Sequence, residues 1–140
     1  MIEVNYIAVL LASVASMVVG FVYYSPFVLG KPWMKLMGYS QEDMKPKGKQ
    51  MPKMYLTSYI LSLVTAYVLY HVMSLSLNFF NYSAVVTGLT SGFWMWLGFV
   101  MPVQATDYLF GKKKLELVCI NTGYQLVSLL VMGVVIGLVR

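Results

Sequence analysis

Charged residues are scarce in this chain. They make up 11% of its 140 residues, whereas hydrophobic residues make up 59%. A soluble domain carries about 25% charged residues, so this composition excludes an ordinary water-soluble globular domain. The net charge of +5 comes mostly from two short clusters of lysines, and we therefore predict no nucleic-acid partner.

Cysteine, histidine and the common catalytic motifs are also nearly absent. Cys119 is the only cysteine and His71 the only histidine. One cysteine excludes an intrachain disulfide and a multi-cysteine metal site, and one histidine supports neither a metal site nor a paired haem ligation. The sequence contains no nucleotide-binding, zinc-protease or serine-hydrolase pattern. We predict no cofactor, and the sequence leaves open whether the protein is an enzyme.

Four apolar runs fill most of the chain. Each is close to the roughly 20 residues that a helix needs to cross a bilayer, and Asp107 and Glu116 are their only charged residues. The pattern predicts an all-α membrane protein, a four-transmembrane-helix bundle in a single domain over residues 1–140. The predicted spans cover about residues 5–26, 54–74, 83–110 and 115–139.

The lysines predict how the bundle is oriented. Six of the ten basic residues lie between the first two runs and three lie between the last two, at Lys112–Lys114, while Arg140 lies elsewhere. Because basic residues favour cytoplasmic loops, we predict that both loops are cytoplasmic and both termini extracytoplasmic, in a bacterial inner membrane. The start of the chain has no basic segment of the kind that opens a signal peptide, so the first run is expected to be a retained span.

The segment after the first span predicts a short helix in the membrane interface. Pro32 suits the first helical position, Trp33 and Lys35 place apolar and basic groups on different faces, and Gly38 suits a helix end. Ser40 and Asp43 then have the spacing of a capping box. The basic loop over residues 39–53 is expected to attract membrane lipids through their anionic head groups.

Small residues recur at every fourth position in the spans. This spacing lets helix backbones approach closely, either inside one bundle or between subunits. Because every span has such a stripe, we predict a homo-oligomer. A weak similarity between Gly20–Pro26 and Gly98–Pro102 also admits a parallel two-plus-two repeat. The stripes are Ala8, Ala12, Ser16 and Gly20; Ser58, Ser62 and Ala66; Ala84, Gly88 and Gly92; and Gly133 and Gly137.

The segment from Tyr23-Tyr24-Ser25-Pro26 to Leu29-Gly30-Lys31-Pro32-Trp33 resembles a known signature. It is similar to the bacterial membrane family named domain of unknown function 1761, which reads W-Y-S-P and then F-G-K-x-W at the end of its first span. In this chain Tyr23 replaces the usual Trp, and Leu29 replaces the usual Phe. The similarity extends over nearly the full chain, through Ser40–Asp43, Ala66–Leu69, Trp96–Phe99 and Asn121–Tyr124. It implies a four-span helical protein and no activity.

Two carboxylates are the first candidates for a ligand- or ion-binding site. Asp107 lies about 8 Å inside the end of the third span at 1.5 Å per residue, with Gln104 nearby. An intramembrane carboxylate indicates function by default, although Asp107 could instead pair with a lysine at the interface. Glu116 begins the fourth span, where it could bind a ligand or only complement the helix dipole.

A polar stripe deeper in the membrane completes the predicted site. Asn121 and Gln125 share one face of the fourth span, and Tyr24 ends the first span. Such groups either bond between helices or line a cavity. We predict that Asp107 faces Asn121 and Gln125 inside the bundle, in a cavity between the first, third and fourth spans.

Three functions remain open on the sequence alone. The first is binding or passage of a small molecule or ion through a polar cavity between helices. The second is a membrane-embedded enzyme acting on a lipophilic substrate. The third is a non-catalytic membrane subunit or lipid-interaction protein, for which the packing stripes and basic loop would suffice.

Overall fold

The computed structural model describes residues 2–40, 42–43, 45, 48 and 50–140. Within these ranges the chain forms helices and no strand. Four helical stretches are long and apolar enough to cross a membrane, which confirms the predicted all-α membrane fold. The helices are α1 (Tyr6–Tyr23), α2 (Gly30–Met37), α3 (Gln50–Phe79), α4 (Ala84–Met95), α5 (Met101–Gly111) and α6 (Leu115–Val139).

Local sequence sets where these helices begin and end. The Asn5 side chain accepts hydrogen bonds from the backbone N–H groups of Ile7 and Ala8 at the start of α1, as an N-cap residue does. Gly38 ends α2 with a φ of 72°, in the left-handed region that glycine adopts most readily. The second predicted span is longer than expected, because α3 begins at Gln50, inside the segment predicted as the basic loop.

The predicted capping box forms, and the residues described between it and Gln50, at positions 45 and 48, are not helical. The Ser40 N–H donates to Asp43 Oδ2 at 2.9 Å, and the Asp43 N–H donates to Ser40 Oγ at 3.3 Å. The Ser40 hydroxyl also donates to Asp43 Oδ2, at 2.8 Å. These reciprocal bonds make a compact turn directly after α2.

A π-helical turn at Trp96–Val100 joins α4 to α5. Pro102 follows this turn and has no N–H, and its ring would clash with the carbonyl four residues earlier, that of Gly98. A wider turn avoids that clash, and the Met101 N–H donates to the Trp96 carbonyl across it. The third span is therefore one continuous stretch, Ala84–Gly111, with a π turn at its centre.

Helix α6 is the centre of the bundle and contacts every other helix. Its closest approach is to α4, where Gly88 and Gly133 face each other so tightly that a Cβ on either would collide with the other's carbonyl. A Cβ on Gly92 would lie 2.8 Å from the Leu129 carbonyl oxygen, and one on Gly137 would lie 2.7 Å from that of Ala84. The small residues of these two spans therefore pack within one chain.

The apolar core lies between α1, α3 and α6. Its buried members include Ala8, Ala12, Ala66, Met73 and Ile136. The stripe of α1 and part of the α3 stripe are thus also buried inside the bundle. The homo-oligomer expected from these stripes loses that support and stays a prediction, as does the two-plus-two repeat.

Candidate functional site

A tight turn joins α1 to α2 and explains the glycine of the Tyr23–Gly30 motif. The Leu29 N–H donates to the Tyr23 carbonyl at 3.1 Å and the Gly30 N–H donates to the Ser25 carbonyl at 2.9 Å. Gly30 is buried, and a Cβ there would lie 2.7 Å from the Ser25 carbonyl carbon and would also collide with the Tyr24 carbonyl oxygen. Only glycine fits this position without moving the backbone.

The turn presses two tyrosines against α6. The Tyr23 hydroxyl donates to the Ile120 carbonyl at 2.8 Å, and the Tyr24 hydroxyl donates to Asn121 Oδ1 at 2.9 Å. The Tyr24 ring also contacts Tyr124, with 5.2 Å between ring centroids. Two predicted site residues, Tyr24 and Asn121, are therefore bonded to each other, and their hydrogen bond fastens α1 to α6.

A polar groove lies one turn deeper, between α1, α3 and α6. Its volume is about 240 Å³. The Ser16 and Ser128 hydroxyls form a buried hydrogen bond of 2.7 Å at its wall. Gln125 extends the polar surface along α6. The lining is completed by Ser58, Ser62, Thr65 and Tyr124, with Met17, Leu61, Leu129 and Met132 as its apolar part.

Several polar groups of this groove have no hydrogen-bond partner. Over the part of the chain that the structure describes, no hydrogen bond involves the Gln125 amide or the hydroxyls of Ser58, Ser62 and Tyr124. Thr65 differs, because its hydroxyl donates to the Leu61 carbonyl at 3.1 Å. Ser58 is exposed, and Ser62, Tyr124 and Gln125 are half-buried, so these polar groups are available to bond an occupant of the groove.

The groove lies well inside the apolar stretches of α3 and α6. Gln125 is ten residues along α6 from Leu115, or about 15 Å at 1.5 Å per residue, in a hydrocarbon core about 30 Å thick. Ser62 is nine residues along α3 from Lys53, the last lysine before the apolar part of that helix, or about 14 Å. The polar groups therefore lie within the apolar part of both helices.

Asp107 lies elsewhere, and the prediction that it faces Asn121 and Gln125 is wrong. Its carboxylate pairs with Lys113 Nζ at 2.9 Å, and its side chain is 53% exposed. The reason is local: Lys112 adopts a left-handed conformation with φ of 52° after α5, and the reversed chain places Lys113 next to the carboxylate. An exposed pair of this kind contributes only about 0–1 kcal/mol to stability.

The remaining predicted site residues are also separate from the groove. Glu116 is exposed in the first turn of α6, where a carboxylate complements the helix dipole. Gln104 is half-buried on α5. The groove that contains Gln125 has α3, and not the third span, as its outer wall. A separate, mostly apolar cavity of about 310 Å³ lies between the third span and α6, and its lining contains none of the predicted site residues.

The spacing of small residues did not predict that Ser58 and Ser62 line a groove. Their spacing from Ala66 predicts one packing stripe, but Ala66 is buried in the core while the two serines face the groove. The hydroxyls were the available signal, since packing alone requires only small residues and Ser58, Ser62 and Thr65 follow one another on neighbouring turns of α3.

Metal-ligating side chains do not gather anywhere in the described ranges: no group of three or more His, Cys, Asp or Glu residues could hold a metal ion. The groove itself is lined by neutral side chains. Its arrangement therefore suits hydrogen bonding to a neutral group.

Comparison with known proteins gives one match. The model of a family described as "Protein of unknown function (DUF1761)" matches residues 7–137. Neither the curated proteins nor the solved structures gave a match to the chain.

Proposed function

Since the chain belongs to the DUF1761 family of proteins of unknown function, we propose its role from the groove alone: it binds a small, hydrogen-bonding molecule inside the membrane. The observation that carries the proposal is the set of unpaired polar groups around Gln125. A ligand that bonds these groups removes the cost of leaving them unpaired in hydrocarbon.

The lining defines the class of ligand. Its side chains are amides, hydroxyls, thioethers and aliphatic groups, without a formal charge, so the bound part is uncharged and carries donors and acceptors. The volume of about 240 Å³ is below the roughly 300–1,000 Å³ typical of sites for drug-sized molecules. The groove therefore takes one ring or one polar group of a molecule that approaches from the lipid.

The other functions fit the groove less well. Passage of an ion is not favoured, because Asp107 and Glu116 lie outside the groove. An enzyme would need an acid/base pair or an activated nucleophile, and the lining of the groove contains no histidine, lysine, aspartate or glutamate that could activate one of its serines. A contact with a second subunit is the remaining rival, since another chain could also bond Gln125.

We predict that Gln125→Leu separates ligand binding from folding. The variant should unfold at the same free energy as the parent in ligand-free detergent, or up to about 1 kcal/mol higher, because it removes an unpaired amide. Native mass spectrometry of protein purified from its own membranes should show a bound small molecule in the parent and none in the variant. Gln104→Leu, the same change outside the groove, should keep the molecule.

Two results would oppose this reading. A loss of more than about 1 kcal/mol on Gln125→Leu would indicate that the amide holds helices together. A change in subunit number, with no small molecule in either protein, would indicate a subunit contact.

We also propose that the lysine-rich loops face the cytoplasm of a bacterium and that both ends of the chain lie outside. The support is the bias of nine basic residues against one, under the positive-inside rule. In a Cys119→Ser background, Lys49→Cys and Asn78→Cys should react with an impermeant thiol reagent from opposite sides of the membrane. Reaction of Lys49→Cys from outside in intact cells would reverse this orientation.

A further inference from the structure

A second cavity lies between α2 and the first turns of α3. We propose that it binds the anionic head group of a lipid from the cytoplasmic leaflet, and that this lipid extends into the Gln125 groove. The head-group site is inferred from this cavity alone, whereas the extension of the lipid into the Gln125 groove rests on the function proposed above. Together they name the ligand class as an anionic phospholipid.

The walls of this cavity suit the level of lipid head groups. Its volume is about 600 Å³, within the range of sites that hold a substantial part of a ligand. Trp33, Tyr39 and Tyr55 supply aromatic surface, and such rings favour the boundary between head groups and hydrocarbon. Met51 and Met54 complete the apolar part with side chains that adapt to irregular shapes.

The charge of the chain segment around the cavity favours an anion, although Lys45 and Asp43 balance each other in the lining itself. Lys45 and Gln50 lie in its lining. Asp43 lies there too, but its Oδ2 accepts hydrogen bonds from the Ser40 N–H and hydroxyl. The sequence from residue 30 to residue 53 carries six lysines against Glu42 and Asp43, an excess that attracts anionic head groups.

Ser58 lines both this cavity and the Gln125 groove. The two spaces are therefore neighbours along one face of α3, which runs from Gln50 past Ser58 to Thr65. Fifteen residues separate Gln50 from Thr65, or about 22 Å at 1.5 Å per residue. A molecule held at the cytoplasmic end thus has a route lined by hydroxyls to the middle of the membrane.

Tyr24 stands where the two spaces meet. Its ring contacts Trp33 edge-on, with 5.4 Å between centroids, and Tyr124 with 5.2 Å. Trp33 lines the outer cavity and Tyr124 lines the groove. With a phosphate beside Lys45, the ester or hydroxyl oxygens below it reach Ser58 and its neighbours, while the acyl chains remain in the lipid.

Quenching of Trp33 fluorescence by brominated lipids tests this site. The protein carries Trp94→Phe and Trp96→Phe, so that Trp33 is its only tryptophan. It is placed in phosphatidylcholine vesicles that contain brominated phosphatidylglycerol, phosphatidylethanolamine or phosphatidylcholine at equal mole fraction. Brominated phosphatidylglycerol should quench at least twofold more strongly than either other lipid. Lys45→Gln should abolish the preference, whereas Lys114→Gln, the same change in the other lysine cluster, should retain it.

Equal quenching by the three lipids, or a preference that survives Lys45→Gln, would overturn the head-group site. Added inorganic phosphate should leave the quenching unchanged, because the chains also contribute to binding; displacement by phosphate would overturn the lipid assignment. Gln125→Leu should leave the stronger quenching of Trp33 by brominated phosphatidylglycerol unchanged. The quenching experiment therefore tests the head-group site separately from ligand binding in the Gln125 groove. Native mass spectrometry of the chain without tryptophan substitutions, mixed with the same lipids, should show phosphatidylglycerol retained most.

Discussion

Gly88→Ala and Gly133→Ala should each lower the free energy of unfolding by about 3 kcal/mol, the upper end of the usual cost of overpacking. Each glycine sits where the backbones of α4 and α6 touch, and a Cβ on either would collide with the other's carbonyl group. The atoms in the way belong to the main chain of a packed helix, which cannot rotate aside. The two helices must separate, and the contacts beside them at Gly92 and Gly137 weaken as well.

Gly98→Ala is the matched control. A Cβ at Gly98 would have no atom within 4 Å, and alanine favours helix over glycine by up to about 1 kcal/mol. Its unfolding free energy, followed by circular dichroism in detergent with increasing denaturant, should equal that of the parent or exceed it slightly. Similar stability for all three variants would mean that α4 and α6 do not cross at these glycines.

Gly30→Ala should disrupt the turn between α1 and α2, with a loss of about 2–3 kcal/mol for the forced shift of the backbone. The new methyl group would meet the Tyr24 carbonyl and Ser25. Because this turn holds Tyr24 against Asn121, the change should also move Trp33 away from Tyr24 and alter its fluorescence. Unfolding and tryptophan emission measured together distinguish this local effect from general instability.

Gly20→Ala, on the preceding helix α1, gives a graded comparison with Gly30→Ala. Its Cβ would lie 3.3 Å from the Tyr124 hydroxyl, which is the far end of a side chain that can shift by a few tenths of an ångström. The loss should be less than about 1 kcal/mol. A loss at Gly20 as large as that at Gly30 would contradict the view that the Tyr23–Gly30 motif encodes this turn.

Features that depend on neighbouring residues could be predicted from the sequence. The four long helices follow from the length of the apolar runs, and the bonds between Ser40 and Asp43 follow from their spacing and chemistry. The helical segment that contains Trp33 likewise follows from Gly38, which ends it, and from Pro32, although the helix begins two residues before Pro32, at Gly30. Each of these signals lies within a few residues of the structure that it predicts.

Features that depend on which helices become neighbours could not be predicted. The groove lies against α3 because α4 is drawn onto α6 through Gly88 and Gly133, a contact between residues far apart in the chain. The pairing of Asp107 depends on the backbone conformation at Lys112, which residue type alone does not specify. The sequence predicts a polar face of the fourth span that contains Gln125, but the neighbours of Gln125 in the groove, Ser58 and Ser62, come from another helix.

An experimental structure of the protein extracted with its native lipids is the most direct test of the central claim, that the groove between α1, α3 and α6 holds a hydrogen-bonding ligand. We expect non-protein density in the groove, within hydrogen-bond distance of the Gln125 amide and the Ser62 hydroxyl. This density should continue toward Trp33. A helix of a second subunit in the groove, or side chains that fill it and leave it dry, would contradict the account.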